Sequence, residues 1–129
     1  MPFSAYIWIA LGGAAGALAR YLTERLLKNA SLGLQYPVGT FVANLLGAFL
    51  LGLILGKWLE AADSNAQRWR LLLGTGFCGS YTTFSTFLFE QLTMLREGKW
   101  PTLVGYVGLS LLLGLLAVWL GWLLGRKFS

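Results

Sequence analysis

The sequence predicts an all-α membrane protein of four transmembrane helices, the third broken in mid-membrane, assembled as an antiparallel dual-topology homodimer. Three observations carry that expectation. Of the 129 residues, 57% are hydrophobic and 12% charged, too few charges to clothe a soluble domain of this size. Four uncharged stretches, residues 1–19, 37–56, 71–89 and 101–125, approach or exceed the ~20 residues that a spanning helix requires. The third of them runs into residues 74–90, GTGFCGSYTTFSTFLFE, which carry Gly, Ser and Thr where a lipid-facing helix would carry Leu.

The whole chain, residues 1–129, reads as one transmembrane domain with helices at about 3–28, 37–60, 68–97 and 100–126. Residues 1–19 lack the basic leader of a signal peptide and run directly into Arg20, so they are expected to stay as a permanent helix. Gly12 and Gly16 lie four apart on one face, where missing side chains let another helix approach closely. Arg20 follows that face. It reads equally as a residue snorkelling to the interface and as a fixed positive charge at the mouth of an anion path.

Residues 29–37 carry the Asn, Ser, Gly and Pro of a turn, with Tyr36 at headgroup level. In the second helix Gly52 and Gly56 repeat the small-residue spacing, whereas Asn44 is an amide inside a span. Such a group must face a partner or water; an interhelical hydrogen bond and a donor to a passing ion both satisfy it. Residues 57–70 form a short polar loop flanked by Trp58 and Trp69 as interfacial anchors.

The third helix is expected to break near residues 79–82. Backbone N–H and C=O groups cannot stay unpaired in hydrocarbon, so such a break is tolerable only where it is buried in protein or lines a polar cavity. Phe84 and Phe87 follow at a spacing of three, with Thr83 and Thr86 beside them. A phenyl ring has a positive edge and a negative face, so ring edges favour an anion. Glu90 ends the uncharged run and is read as a solvated pore-mouth residue or an intersubunit contact. In the fourth helix Tyr106 and Ser110 share a face that can turn hydroxyls towards the third, and Gly121 and Gly125 form another small-residue pair.

Charge and composition exclude much. The chain has no His and a single Cys, Cys78, so neither a disulfide framework nor a Cys/His metal cluster is available. With no paired intramembrane carboxylates and no Lys inside a span, enzymatic turnover is not expected. A drug/proton antiporter of the small four-helix kind needs a carboxylate in its first helix, and residues 1–19 have none. The net charge of +5 is dispersed, which fits basic caps against lipid headgroups and not nucleic acid. Lys57, Arg68, Arg70, Arg126 and Lys127 fall on one side of the bilayer, and Arg20, Arg25, Lys28, Arg96 and Lys99 on the other. Basic excess sets orientation; five against five sets none. Insertion both ways makes an antiparallel dimer the natural closed assembly.

A corridor of Asn, Ser, Thr and Tyr with aromatic edges suits a small, strongly hydrated anion, because neutral donors replace water without holding the ion too tightly. Carbonyls released at the break suit the opposite charge, and a cation there would pin two broken helices together. Gly39-Thr40, Asn44 and Gly47, then Gly76-Phe77-Cys78-Gly79 and Thr82-Thr83-Phe84-Ser85-Thr86-Phe87, with Gly12-Gly13, Gly16 and Arg20, strongly resemble the Fluc (CrcB) family of fluoride channels. The resemblance covers nearly the whole chain, and the TTFSTF string is its most specific part. It implies a fluoride-selective channel in the cell inner (plasma) membrane that lowers cytoplasmic fluoride by passive export, with two pores per antiparallel dimer. It further implies a structural Na+ at the dimer centre, held by the backbone carbonyls of Gly79 and Thr82 from each subunit. Phe84 and Phe87 match the ring pair lining the pore and Asn44 the pore asparagine; Thr83, Ser85 and Thr86 would offer donors, and Tyr106 and Ser110 match less distinctively. Ser80 departs from the pattern, since a second glycine is common there. A small proton-coupled transporter and a non-transporting membrane scaffold are the rival readings.

Overall fold

The computed structural model describes residues 2–28 and 37–129; the turn expected at 29–37, with Tyr36, lies outside them except for Pro37. Every regular element among the described residues is helical. Helices α1 (Phe3–Leu26), α2 (Val38–Trp58) and α6 (Trp100–Lys127) are each long and apolar enough to cross a bilayer. The third span is composite. It begins with α3 (Ser64–Trp69), continues through a π-helical segment (Arg70–Cys78) into α4 (Gly79–Tyr81), stops, and resumes as α5 (Ser85–Arg96).

Local chemistry explains the ends. Asp63 caps α3, its carboxylate accepting from the Ala66 N–H at 3.2 Å. Residues 57–70 are therefore not simply a loop: the third span starts inside them, and Trp58 stacks on Trp69 at 6.0 Å with an interplanar angle of 12°. Arg70 crosses back to close the end of α2, donating to the carbonyl of Trp58 and, at 2.8 Å, to that of Ala61. After α5, Gly98 adopts φ 72°, and the Lys99 N–H turns back to the Met94 carbonyl at 2.8 Å, the glycine-dependent stop that lets α6 begin at once.

Packing rests on absent side chains. A Cβ on Gly52 or Gly56 of α2 would meet the backbone of Val118 or Trp122 on α6, and one on Gly121 or Gly125 would meet that of Phe49 or Leu53 on α2. Likewise Gly12 and Gly16 of α1 lie against the backbone of Leu72 and Phe77 in the π-helical segment. The small-residue pairs read from the sequence thus mark the two helix seams. This is how membrane helices associate when lipid is as apolar as their own side chains. The only cluster of large buried side chains among the described residues is Phe87, Met94 and Tyr106, backed by Phe41, Leu103 and Val107, and it sits beside the break.

Candidate functional site

The third span opens at Thr82, Thr83 and Phe84, slightly later than the 79–82 expected. Gly79 is helical (φ −61°, ψ −31°), and extended backbone starts only at Thr82 (φ −81°, ψ 157°). Glycine permits a helix to turn but does not compel it. Two consecutive β-branched hydroxyl residues do more, because their side chains offer the backbone local alternatives to helical bonding. The Thr82 hydroxyl donates to the Cys78 carbonyl at 2.9 Å, and the Thr83 hydroxyl accepts from the Thr86 N–H at 3.2 Å, starting α5.

Three neighbours hold the broken ends. From α2, Asn44 grips Thr83 at two points: its Oδ1 accepts from the Thr83 N–H at 2.8 Å and its Nδ2 donates to the Thr83 carbonyl at 3.2 Å. One turn on, Gly47 leaves room for the Thr82 methyl. From α1, the Arg20 Nε donates to the Ser80 carbonyl at 3.2 Å while its Nη1 meets Glu24 at 3.5 Å. The Tyr81 and Thr23 hydroxyls share a bond of 2.8 Å. Arg20 is therefore not a free side chain: its guanidinium is tied to the end of α4 and to Glu24.

On the other side of the break, Glu90 is not left in water. Its Oε2 accepts from Thr40 at 2.7 Å and its Oε1 from Tyr106 at 2.8 Å. Tyr106 is fully buried, and its ring meets Phe87 edge-on at 4.9 Å and 63°. Phe84 and Phe87 stay adjacent, 6.4 Å between centroids and tilted by 39°, but differ in setting. Phe84 is 71% exposed and Phe87 only 9%.

An open cleft of about 1050 Å³ runs along this face. Of the residues singled out from the sequence, it brings together Asn44, Gly79, Thr82, Thr83, Phe84, Phe87 and Ser110; Ser85, Thr86, Tyr106, Glu90 and Arg20 do not line it. The Ser110 hydroxyl is buried and, among the described residues, has no hydrogen-bond partner, as is true of the Gln91 amide nitrogen. Sequence reasoning overlooked Gln91 and the part played by Thr40. A hydroxyl at the start of α2 carries no signal of a carboxylate fifty residues away.

The Glu90 cluster has a stability signature. Tyr106→Phe and Thr40→Val should each cost about 1–3 kcal/mol, since either takes one charge-assisted hydrogen bond from the half-buried Glu90 carboxylate. The double variant should cost less than the sum if both bonds serve one carboxylate. Thermal unfolding of the purified protein in detergent reads both effects.

A break of this kind exposes two opposite dipole ends. Carbonyls at the end of α4 favour a cation, and N–H groups at the start of α5 favour an anion. The fold and the break together define a small helical membrane channel, with no catalytic constellation among the described residues. The chain belongs to the CrcB family: the family model described as CrcB-like protein, Camphor Resistance (CrcB), matches residues 7–122. It is similar to the fluoride-specific ion channel FluC of Acidobacterium capsulatum, with 50% identity over 122 residues, 95% of this chain and 96% of the relative. FluC 2 of Moorella thermoacetica is 47% identical over 119 residues, covering 92% and 94%. FluC 1 of Geobacillus kaustophilus is 42% identical over 120 residues, covering 93% and 97%.

Proposed function

We propose that this protein is a fluoride-specific channel of the cell inner membrane that lets cytoplasmic fluoride leave down its gradient, built as an antiparallel dual-topology homodimer with two pores. The observation that carries the reading is the opened third span, with Phe84 and Phe87 set beside the Asn44 clamp on one cleft wall, in a chain whose relatives bear that channel's name. Fluoride passes the ring edges of Phe84 and Phe87. Ser110 contributes an uncommitted buried hydroxyl, and the second amide hydrogen of Asn44 and the hydroxyls of Thr83, Ser85 and Thr86 contribute further neutral donors. Tyr106 acts from behind Phe87, and Arg20 and Glu90 hold the ends of the route. Neutral donors suit an ion that must bind and then leave.

The dual topology rests on basic residues divided five against five, and the dimer on that balance and on the one-sided cleft. A structural Na+ at the dimer centre belongs to the same reading. The residues fit it in one respect that can be read from hydrogen bonds. The helical donors of the Gly79 and Thr82 carbonyls are the N–H groups of Thr83 and Thr86, and both are engaged elsewhere. Bound there, Na+ would neutralise the released carbonyl dipoles.

Efflux from liposomes holding purified protein tests the function. Fluoride should leave rapidly, chloride should not, and an imposed pH gradient should drive no uphill movement. Proton-driven accumulation would favour a transporter, and no flux at all a scaffold. In a Cys78→Ser background, Ser129→Cys should be labelled only in part by a membrane-impermeant reagent added outside intact cells, and the remainder only after permeabilisation, if insertion is dual.

A further inference from the structure

From the hydrogen bonds around the break we infer that Asn44 and Thr83 are positioning residues for the cation site, acting by diverting two backbone N–H groups. This rests on the reading above that Gly79 and Thr82 offer their carbonyls to Na+. In an uninterrupted helix the Thr83 N–H would bond the Gly79 carbonyl and the Thr86 N–H the Thr82 carbonyl. Here the Asn44 Oδ1 takes the first at 2.8 Å, and the Thr83 hydroxyl takes the second at 3.2 Å.

Each diverted N–H leaves one carbonyl without its ordinary donor, and no replacement donor reaches either carbonyl among the described residues. The neighbouring Ser80 carbonyl is different. It too has lost its helical partner at the break, but the Arg20 guanidinium covers it. A cation cannot use a carbonyl that already faces Arg20, so the Arg20 contact and the two diversions together leave Gly79 and Thr82 open and Ser80 closed. Gly79 and Thr82 both lie on the cleft wall. Asn44 closes the arrangement by returning its Nδ2 hydrogen to the Thr83 carbonyl at 3.2 Å, fixing the extended conformation in which the diversions hold.

The consequence separates two roles for Thr83. As an anion donor alone, its loss would lower fluoride flux and leave cation binding untouched. As a diverter, its loss lets the Thr86 N–H return to the Thr82 carbonyl, which then competes with the cation. Asn44 acts in the same way on Gly79.

The test is the sodium dependence of thermal unfolding of purified protein in detergent, with NaCl exchanged for N-methyl-D-glucamine chloride at constant ionic strength. The wild type should unfold at higher temperature as sodium rises, with a defined half-saturation. Thr83→Val should raise that half-saturating concentration about two- to tenfold, the size of one hydrogen bond regained by the carbonyl. Thr83→Ser, which keeps the oxygen, should restore it to about the wild-type value. Asn44→Ala is the second, independent variant and should move it in the same direction as Thr83→Val; either variant that elutes as a single folded species serves. Unchanged half-saturation in a folded Thr83→Val or Asn44→Ala protein overturns the diversion while leaving the cation site standing. Absence of any sodium-specific shift in the wild type overturns the cation reading itself, and the inference with it.

Discussion

Phe84→Ile is expected to cut fluoride efflux from liposomes at least about tenfold while leaving the thermal stability of the protomer nearly unchanged; Phe87→Ile is expected to lower both. The two rings are neighbours, 6.4 Å apart, yet they are held in opposite ways. Phe84 sits in the break itself and is 71% exposed, so little of the fold depends on it. On the proposed route its contribution is to present a ring edge to the ion. Losing an electrostatic contact of about 1–1.5 kcal/mol from the conduction barrier corresponds to roughly a tenfold fall in rate. Phe87 lies in the first turn of α5, 9% exposed, with its ring edge-on to Tyr106 at 4.9 Å. Isoleucine there removes the ring edge and also loosens the cluster of Phe87, Met94 and Tyr106, adding a stability cost of about 1–2 kcal/mol. Equal flux through wild type and Phe84→Ile would remove the exposed ring from the route. A Phe87→Ile protein as stable as wild type would show that the Tyr106 contact matters little.

Gly16→Val and Gly12→Val should both be severely damaging to the fold. A Cβ at Gly16 would run into the Phe77 carbonyl, and one at Gly12 into the Leu72 carbonyl. Both obstacles are backbone, not a flexible side chain that can swing aside. Helix α1 must therefore move away from the π-helical segment, costing about 3 kcal/mol or more. The loss extends beyond packing. Displacing α1 withdraws Arg20 from the Ser80 carbonyl and Thr23 from Tyr81, so the end of α4 is released as well. Monodispersity on size exclusion and unfolding temperature in detergent measure the effect, with Gly105→Ala as comparison because nothing lies within 4 Å of the Cβ it would add. If Gly16→Val is as stable as Gly105→Ala, the close seam between α1 and the third span contributes nothing to stability.

The spans were legible because the bilayer imposes a rule that needs no knowledge of neighbours. A run of about twenty uncharged residues must be helical to satisfy its own backbone, and α1, α2 and α6 fall where those runs lie. The glycine pairs were legible for a similar reason, since spacing of four places both on one face of a helix whatever it meets. The interruption in the third span was visible as composition, but its placement was not. Glycine at 79 remained helical, and the opening fell on Thr82, Thr83 and Phe84. The π-helical stretch at Arg70–Cys78 left no mark in the pattern of apolar residues at all.

Membrane class, span count and the neighbourhood of the break follow from short-range chemistry written into consecutive residues: charge kept out of hydrocarbon, small side chains at helical intervals, hydroxyls clustered around a weak point. What the clustered groups do depends on residues far along the chain. Asn44 meets Thr83 across 39 positions, Thr40 meets Glu90 across 50 and Arg20 meets Ser80 across 60. No local preference encodes such pairings, because each exists only once the glycine seams have brought the helices close enough for one polar group to reach another. Packing therefore chose which carbonyls at the opening are covered and which remain free.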